Sequence, residues 1–232
     1  MDFHLRLVRS AGGYSEFAPT HAPGTTPKNL ARSGLRRRRK TPRPGKGLTM
    51  AKITVFGGSA PKPGEKAYKE AYQLGKLLAA AGHTVINGGY IGTMEAVSRG
   101  AAETGGYVIG VTCDEIERYR PTHPNPWIHQ EIRYPKLRQR LLAMIDSADA
   151  AIALPGGVGT LTEILTTWNH LLIGAITPRP LILVGPEWQN IIGKFLEELD
   201  EYITQSQRDW VKFAGDVETA AKMVGDGNPH KG

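Results

Sequence analysis

A single cysteine, Cys113, occurs among the 232 residues, which excludes an internal disulfide and any cysteine-rich metal site. It follows an apolar, strand-like run and reads as a buried structural thiol. No apolar run reaches the ~18 residues that a membrane-spanning helix needs. No signal-peptide core follows the N-terminus, so a cytoplasmic protein is expected. No glycine turn is followed by Gly-Lys-Ser/Thr, which excludes a Walker phosphate loop. There is no Gly-x-Gly-x-x-Gly with an acidic partner either, so a mononucleotide fits better than a dinucleotide. His123 and His129 lack ligand spacing and read as structural or solvated. No metal or other cofactor is expected.

Charge is scarce where it would matter for nucleic acid. The chain is +7 overall, yet residues 1–49 hold 11 of its 29 Lys/Arg and 2 of its 22 Asp/Glu. That leaves 18 basic against 20 acidic residues, so the remainder is near neutral and shows no sign of a nucleic-acid partner. Residues 1–49 are rich in Pro, Gly, Ser, Thr and Arg and lack a sustained apolar period. Such a segment cannot bury enough surface to order itself. A basic arm for nucleic acid or anionic lipid is one reading. A dispensable, disordered extension is the favoured one, because Met50 directly precedes Ala-Lys-Ile-Thr-Val-Phe, a natural first strand. One domain over 50–224 and a polar tail over 225–232 are expected.

From Met50 onward one unit repeats: apolar strand, glycine turn, amphipathic helix. Strands are predicted at 52–56, 84–86, 107–112, 150–154, 180–184 and 210–213. Helices are predicted at 65–81, 93–104, 136–147, 160–173, within 186–203, and at 217–224. Residues 113–135, with prolines at 121, 124, 126 and 135, read as an irregular rim loop with a short strand near 128–133. This alternation predicts an α/β fold: a doubly wound, mostly parallel sheet in a Rossmann-like three-layer sandwich. Ligands bind such sheets at the carboxyl ends of the strands. The glycine turns at 57–59, 88–92 and 155–160 therefore point to one rim.

The most informative stretch is Pro155-Gly-Gly-Val-Gly-Thr-Leu-Thr-Glu163. Gly156, Gly157 and Gly159 let a ligand approach the backbone closely. The helix start behind them offers unpaired N–H groups and the positive end of its dipole, which suits a phosphate. Thr160 adds a hydroxyl. Glu163 falls on nearly the same helix side one turn later, where it would meet a sugar attached to that phosphate. Arg138 and Arg140 flank the apolar face of the 136–147 helix (Leu137, Leu141, Met144, Ile145) on opposite sides, so one of them at most faces a given site.

This motif resembles the signature of the LOG family, cytokinin riboside 5′-monophosphate phosphoribohydrolases often mislabelled lysine decarboxylases. Val55-Phe-Gly-Gly-Ser59, the block from Asn87 to Ala101 and Leu137-Arg-Gln-Arg-Leu-Leu-Ala-Met144 are similar to further blocks of that family. The resemblance spans about residues 53–224. It implies that Glu163 and Arg140 are catalytic. It also implies that Gly156, Gly157, Gly159, Thr160, Ser59, Gly88, Gly89 and Met94 line the nucleotide site. The implied reaction is hydrolysis of the N-glycosidic bond of an AMP-like nucleoside 5′-monophosphate, giving base and ribose 5-phosphate. Arg138, Leu141 and Thr162 stand where the family commonly has His, Lys and a first glutamate, which marks a divergent member. Non-catalytic carriers of the same superfamily, such as molybdenum-cofactor carriers, are the alternative. The family also implies a homodimer or larger assembly. Leu142, Leu165, Trp168 and Leu172 supply a second apolar strip that would serve it.

Overall fold

The computed structural model describes residues 50–225. The expectations for residues 1–49 and for the tail beyond 225 lie outside the described residues. Seven strands form one sheet: β1 (Lys52–Phe56), β2 (Thr84–Asn87), β3 (Val108–Cys113), β4 (Gln130–Tyr134), β5 (Ala150–Ala153), β6 (Leu181–Val184) and β7 (Val211–Ala214). Their order is β4-β3-β2-β1-β5-β6-β7, and every neighbouring pair is parallel. The helices are α1 (Lys66–Ala80), α2 (Thr93–Glu103), α3 (Asp114–Tyr119), α4 (Leu137–Asp146), α5 (Val158–Leu172), α6 (Pro186–Glu198), α7 (Gln205–Arg208) and α8 (Val217–Gly225).

Strand alternation divides the core into two layers. Ile53 and Val55 of β1, with Ile182 and Val184 of β6, pack under α1, α2 and α8. Phe56, with Leu181 and Leu183, packs under α4, α5 and α6. The first layer is unusually close. A Cβ on Gly75 of α1 would lie 2.1 Å from the Val97 carbonyl oxygen, and one on Gly100 of α2 would lie 2.0 Å from that of Tyr72. These two glycines let the helices cross backbone to backbone, in the way small residues permit.

The strand order reverses between β1 and β5, so the crevice at their carboxyl ends is the topological switch point. The turns there are locked together. The Gly58 N–H donates to the Pro155 carbonyl at 3.4 Å, and the Gly58 carbonyl accepts from both the N–H and Oγ1 of Thr93 at 2.9 Å. Gly92, at φ +75°, is pressed against the same turn; a Cβ there would lie 2.5 Å from the Gly58 oxygen.

Four sequence expectations need correction. Residues 113–135 are not wholly irregular: α3 opens directly after β3. Its first turn carries Asp114, Glu115 and Glu117, which favour the positive end of a helix dipole. The 3₁₀ turn Asp200–Tyr202 and α7 were not foreseen, although Thr204 and Gln207 form a capping box at the α7 start. Trp168 is not part of an outer strip. It is buried, donates its indole N–H to the Gln207 carbonyl at 2.8 Å, and meets the Phe195 ring edge-on. Leu137, expected on the buried face of its helix, is half exposed, because the first turn of α4 lies at the rim beside α3.

Candidate active site

At the switch point the chain leaves β5, turns through Pro155, Gly156 and Gly157, and enters α5 with Gly157 as N-cap. The first-turn N–H groups of a helix have no intrahelical acceptor. Here Val158, Gly159 and Thr160 carry them, and all three line a cavity of about 320 Å³. The two cavity-facing glycines are separable from the packing one. A Cβ on Gly157 or Gly159 would meet nothing within 4 Å, whereas one on Gly156 would lie 2.2 Å from Thr160 Oγ1.

Glu163, one turn into α5, points into the same cavity. Its side chain is 14% exposed, and its Oε1 lies 3.9 Å from Nη1 of Arg140, which is 7% exposed. Burial pushes the Glu163 carboxyl up to about 7, and the Arg140 charge pulls against that shift without cancelling it. Burial also lowers Arg140, with Glu163 the main opposing influence. A guanidinium nonetheless stays cationic in proteins. Arg140 is fixed from three sides. Its Nε donates to the Val111 carbonyl at 2.7 Å, its Nη2 lies 4.0 Å from Met94 Sδ, and its Cζ sits 5.8 Å from the centre of the Tyr90 ring.

Tyr90, Ile116 and Arg120 complete the lining together with Gly57, Gly58, Ser59 and Met94. The buried Tyr90 hydroxyl accepts from the Cys113 N–H at 2.7 Å and lies 3.2 Å from Glu117 Oε1. Burial pushes it up to about 12, so it remains a neutral phenol. Arg120 Nη1 donates to Ser59 Oγ at 3.1 Å. The cavity thus holds the first-turn N–H groups of a helix, a carboxyl whose pKa burial raises to about 7, and a fixed guanidinium. Such a set can bind a phosphate and stabilise positive charge developing on the sugar beside it.

A family model described as the SLOG cluster4 family matches residues 50–207. The chain belongs to the SLOG cluster4 family. The LOG resemblance holds as well. A cytokinin riboside 5′-monophosphate phosphoribohydrolase of Rhodococcoides fascians is 29% identical over 182 residues, covering 76% of this chain and 90% of that protein. One of Mycobacterium tuberculosis (strain ATCC 25618 / H37Rv) is 30% identical over 142 residues, covering 61% and 73%. Among solved structures, the Moco carrier protein of Chlamydomonas reinhardtii superposes with a TM-score of 0.57 at 26% identity, covering 76% of this chain and 96% of that one.

In this SLOG protein the residues singled out from sequence fall into two groups. Glu163, Arg140, Gly157, Gly159, Thr160, Ser59 and Met94 meet at the cavity. Gly156, Gly88 and Gly89 stand behind it. A Cβ on Gly88 would lie 1.8 Å from Arg140 Nη2, so Gly88 makes room for the guanidinium instead of lining the cleft. Gly89 donates its N–H to Asn87 Oδ1 and accepts from the Asn125 N–H, both at 2.8 Å. Of the two candidate arginines, Arg138 is exposed and lines a separate surface hollow with Glu115 and Lys136. Ile116 and Arg120 were not foreseen. The acidic run after the third strand was the signal that a helix would carry them to the rim.

Proposed function

We propose that the protein hydrolyses the N-glycosidic bond of an AMP-like nucleoside 5′-monophosphate, releasing base and ribose 5-phosphate. The observation that carries this reading is the Glu163 carboxylate, set one helical turn beyond the anion cradle and facing Arg140 at 3.9 Å. The phosphate would sit on the N–H groups of residues 158–160. The anomeric carbon would then lie near Glu163. In its ionised form that carboxylate stabilises the oxocarbenium-like transition state and orients or deprotonates the attacking water. Arg140 holds a fixed positive charge for the phosphate or the departing base. The phosphoribohydrolase names of the relatives support the same reaction class.

The protein is read as cytoplasmic, with residues 50–224 folding as one domain independently of residues 1–49. Among the described residues no helix is long and apolar enough to cross a membrane. A second reading, a non-catalytic carrier, is favoured by the likeness to the Moco carrier protein and by Thr162 and Leu141 at family-typical positions. Incubation with a panel of nucleoside monophosphates, followed by chromatography for free base, separates the two. Binding without base release across the panel would reject the hydrolase and leave the carrier.

A further inference from the structure

We infer that Arg120 is a phosphate clamp: it leaves Ser59 and closes on the phosphate held at the start of α5, so that phosphorylated ligands are selected over free nucleosides. This rests on the reading of the cavity as a nucleotide site, and names a group of that site which the sequence motifs do not contain.

The argument begins with charge. A nucleoside monophosphate carries nearly two negative charges at neutral pH, whereas a helix N-terminus supplies about half a positive one. Residues 155–163 contain no lysine or arginine. Arg140 is already committed, with Glu163 opposite it and Val111 on its Nε. Among the described residues lining the cavity, Arg120 is the remaining cation, and its side chain bonds a hydroxyl, not a carboxylate. A phosphate bound to the cradle without it would keep most of its charge unmatched.

The local structure keeps that cation free. Asp114 and Glu117 of α3 both bind Arg133, at 2.6 and 2.5 Å. Glu115 binds Lys136 at 3.0 Å and accepts from the Leu137 N–H at 2.7 Å. The acids closest in sequence to Arg120 are therefore spent on β4 and the start of α4. The same contacts fix α3 on the rim, with Ile116 and Arg120 at the cavity. The partner Arg120 does have is a hydroxyl, which a phosphate oxygen outcompetes. Guanidinium–phosphate pairing is charge-assisted and bidentate, and Ser59 can stay beside it as a second donor.

The test is calorimetric titration of the full chain and of Arg120→Gln and Arg120→Lys with AMP, ribose 5-phosphate and adenosine, with base release measured in parallel. In Arg120→Gln, AMP and ribose 5-phosphate should bind about tenfold or more weakly, with adenosine unchanged. Arg120→Lys should recover part of the loss. Thermal melts should be unaltered, since the side chain is exposed and bonds Ser59 alone. Equal AMP affinity in the wild type and Arg120→Gln overturns the clamp, as does an equal loss for adenosine. Normal AMP binding with no base release, but with the Arg120 effect intact, rejects the hydrolase and keeps the clamp. A wild-type protein that binds neither phosphorylated probe rejects both.

Discussion

Arg140 and Glu163 face each other at 3.9 Å, close enough to attract and too far apart to hydrogen-bond. The guanidinium therefore keeps its fixed contacts to β3, while the carboxylate stays available to the cavity. If Glu163 supplies the charge for catalysis, Glu163→Gln should leave nucleotide binding within a few-fold of wild type. Base release should fall by about 100-fold or more, the scale of a lost acid–base group. Near-normal turnover in this variant would remove Glu163 from the mechanism.

The raised Glu163 pKa has a defined sign in a pH profile. In the proposed reaction the active form is the carboxylate, so kcat/KM should climb with pH and level off above about 7. The substrate phosphate also ionises, near pH 6, but it does so equally for every variant. The inflection near 7 should thus vanish from the residual activity of Glu163→Gln. Stability runs the other way. A carboxyl whose folded pKa lies above its ordinary value of 4.5 penalises the fold only once ionised. Its contribution is intact below about pH 4.5 and is lost as pH rises through about 7. A kcat/KM flat from pH 5 to 8 would contradict the assignment.

Two glycine-to-alanine changes should fail in different ways. In Gly88→Ala the new methyl meets the ends of two side chains, Arg140 Nη2 and Met94 Sδ, and no backbone, so the guanidinium must leave its fixed position while the helices stay in place. Activity should drop by about 100-fold with a small change in Tm. In Gly75→Ala the methyl meets the Val97 carbonyl, which cannot move without its helix. Overpacking of that kind costs about 1–3 kcal/mol, and Tm should fall by on the order of 5–10 °C in a domain of this size. Differential scanning calorimetry beside an activity assay separates the two, and matching Tm losses would refute the distinction.

Assembly is testable at the outer layer. Trp168 is internal, but Leu142, Leu165, Ile173 and Phe195 remain substantially exposed on α4, at α5 and its C-cap, and on α6. Apolar patches of this kind mark contact surfaces, most economically two-fold ones. Light scattering at micromolar concentration should return at least twice the 25.2 kDa chain mass. Leu165→Glu should halve it. A wild-type monomer at that concentration would refute the homodimer.

The sheet and its switch point were legible because strand periodicity and glycine turns are local signals. The place of Glu163 at the cavity was legible from helical spacing, whereas the choice of Arg140 over Arg138 came from the family resemblance. The roles of Gly88 and Gly156 were not, because whether a glycine faces ligand or makes room for a neighbour depends on what packs there: Arg140 in one case, Thr160 in the other. Trp168 was misjudged for the same reason. Its spacing from Ile164 and Leu171 places it on the buried stripe, but its size suggested a contact surface, whereas α6 and the segment at Gln207 close over it in space. The rim helix α3 was hidden by the prolines that follow it, and with it Arg120.

The interlocked turns at Gly58, Gly92 and Pro155 bear on how such a site can diversify. Those three segments are bonded into one cassette: a side chain added at Gly92 would strike the Gly58 turn, which is itself tied to Pro155, so a change in one should disturb the others. The α3 rim is attached by surface ion pairs and one phenol, and can be exchanged piecemeal. New ligand preferences should therefore accumulate on α3, while the cradle stays frozen, and a designer seeking a different substrate would randomise residues 114–120 first.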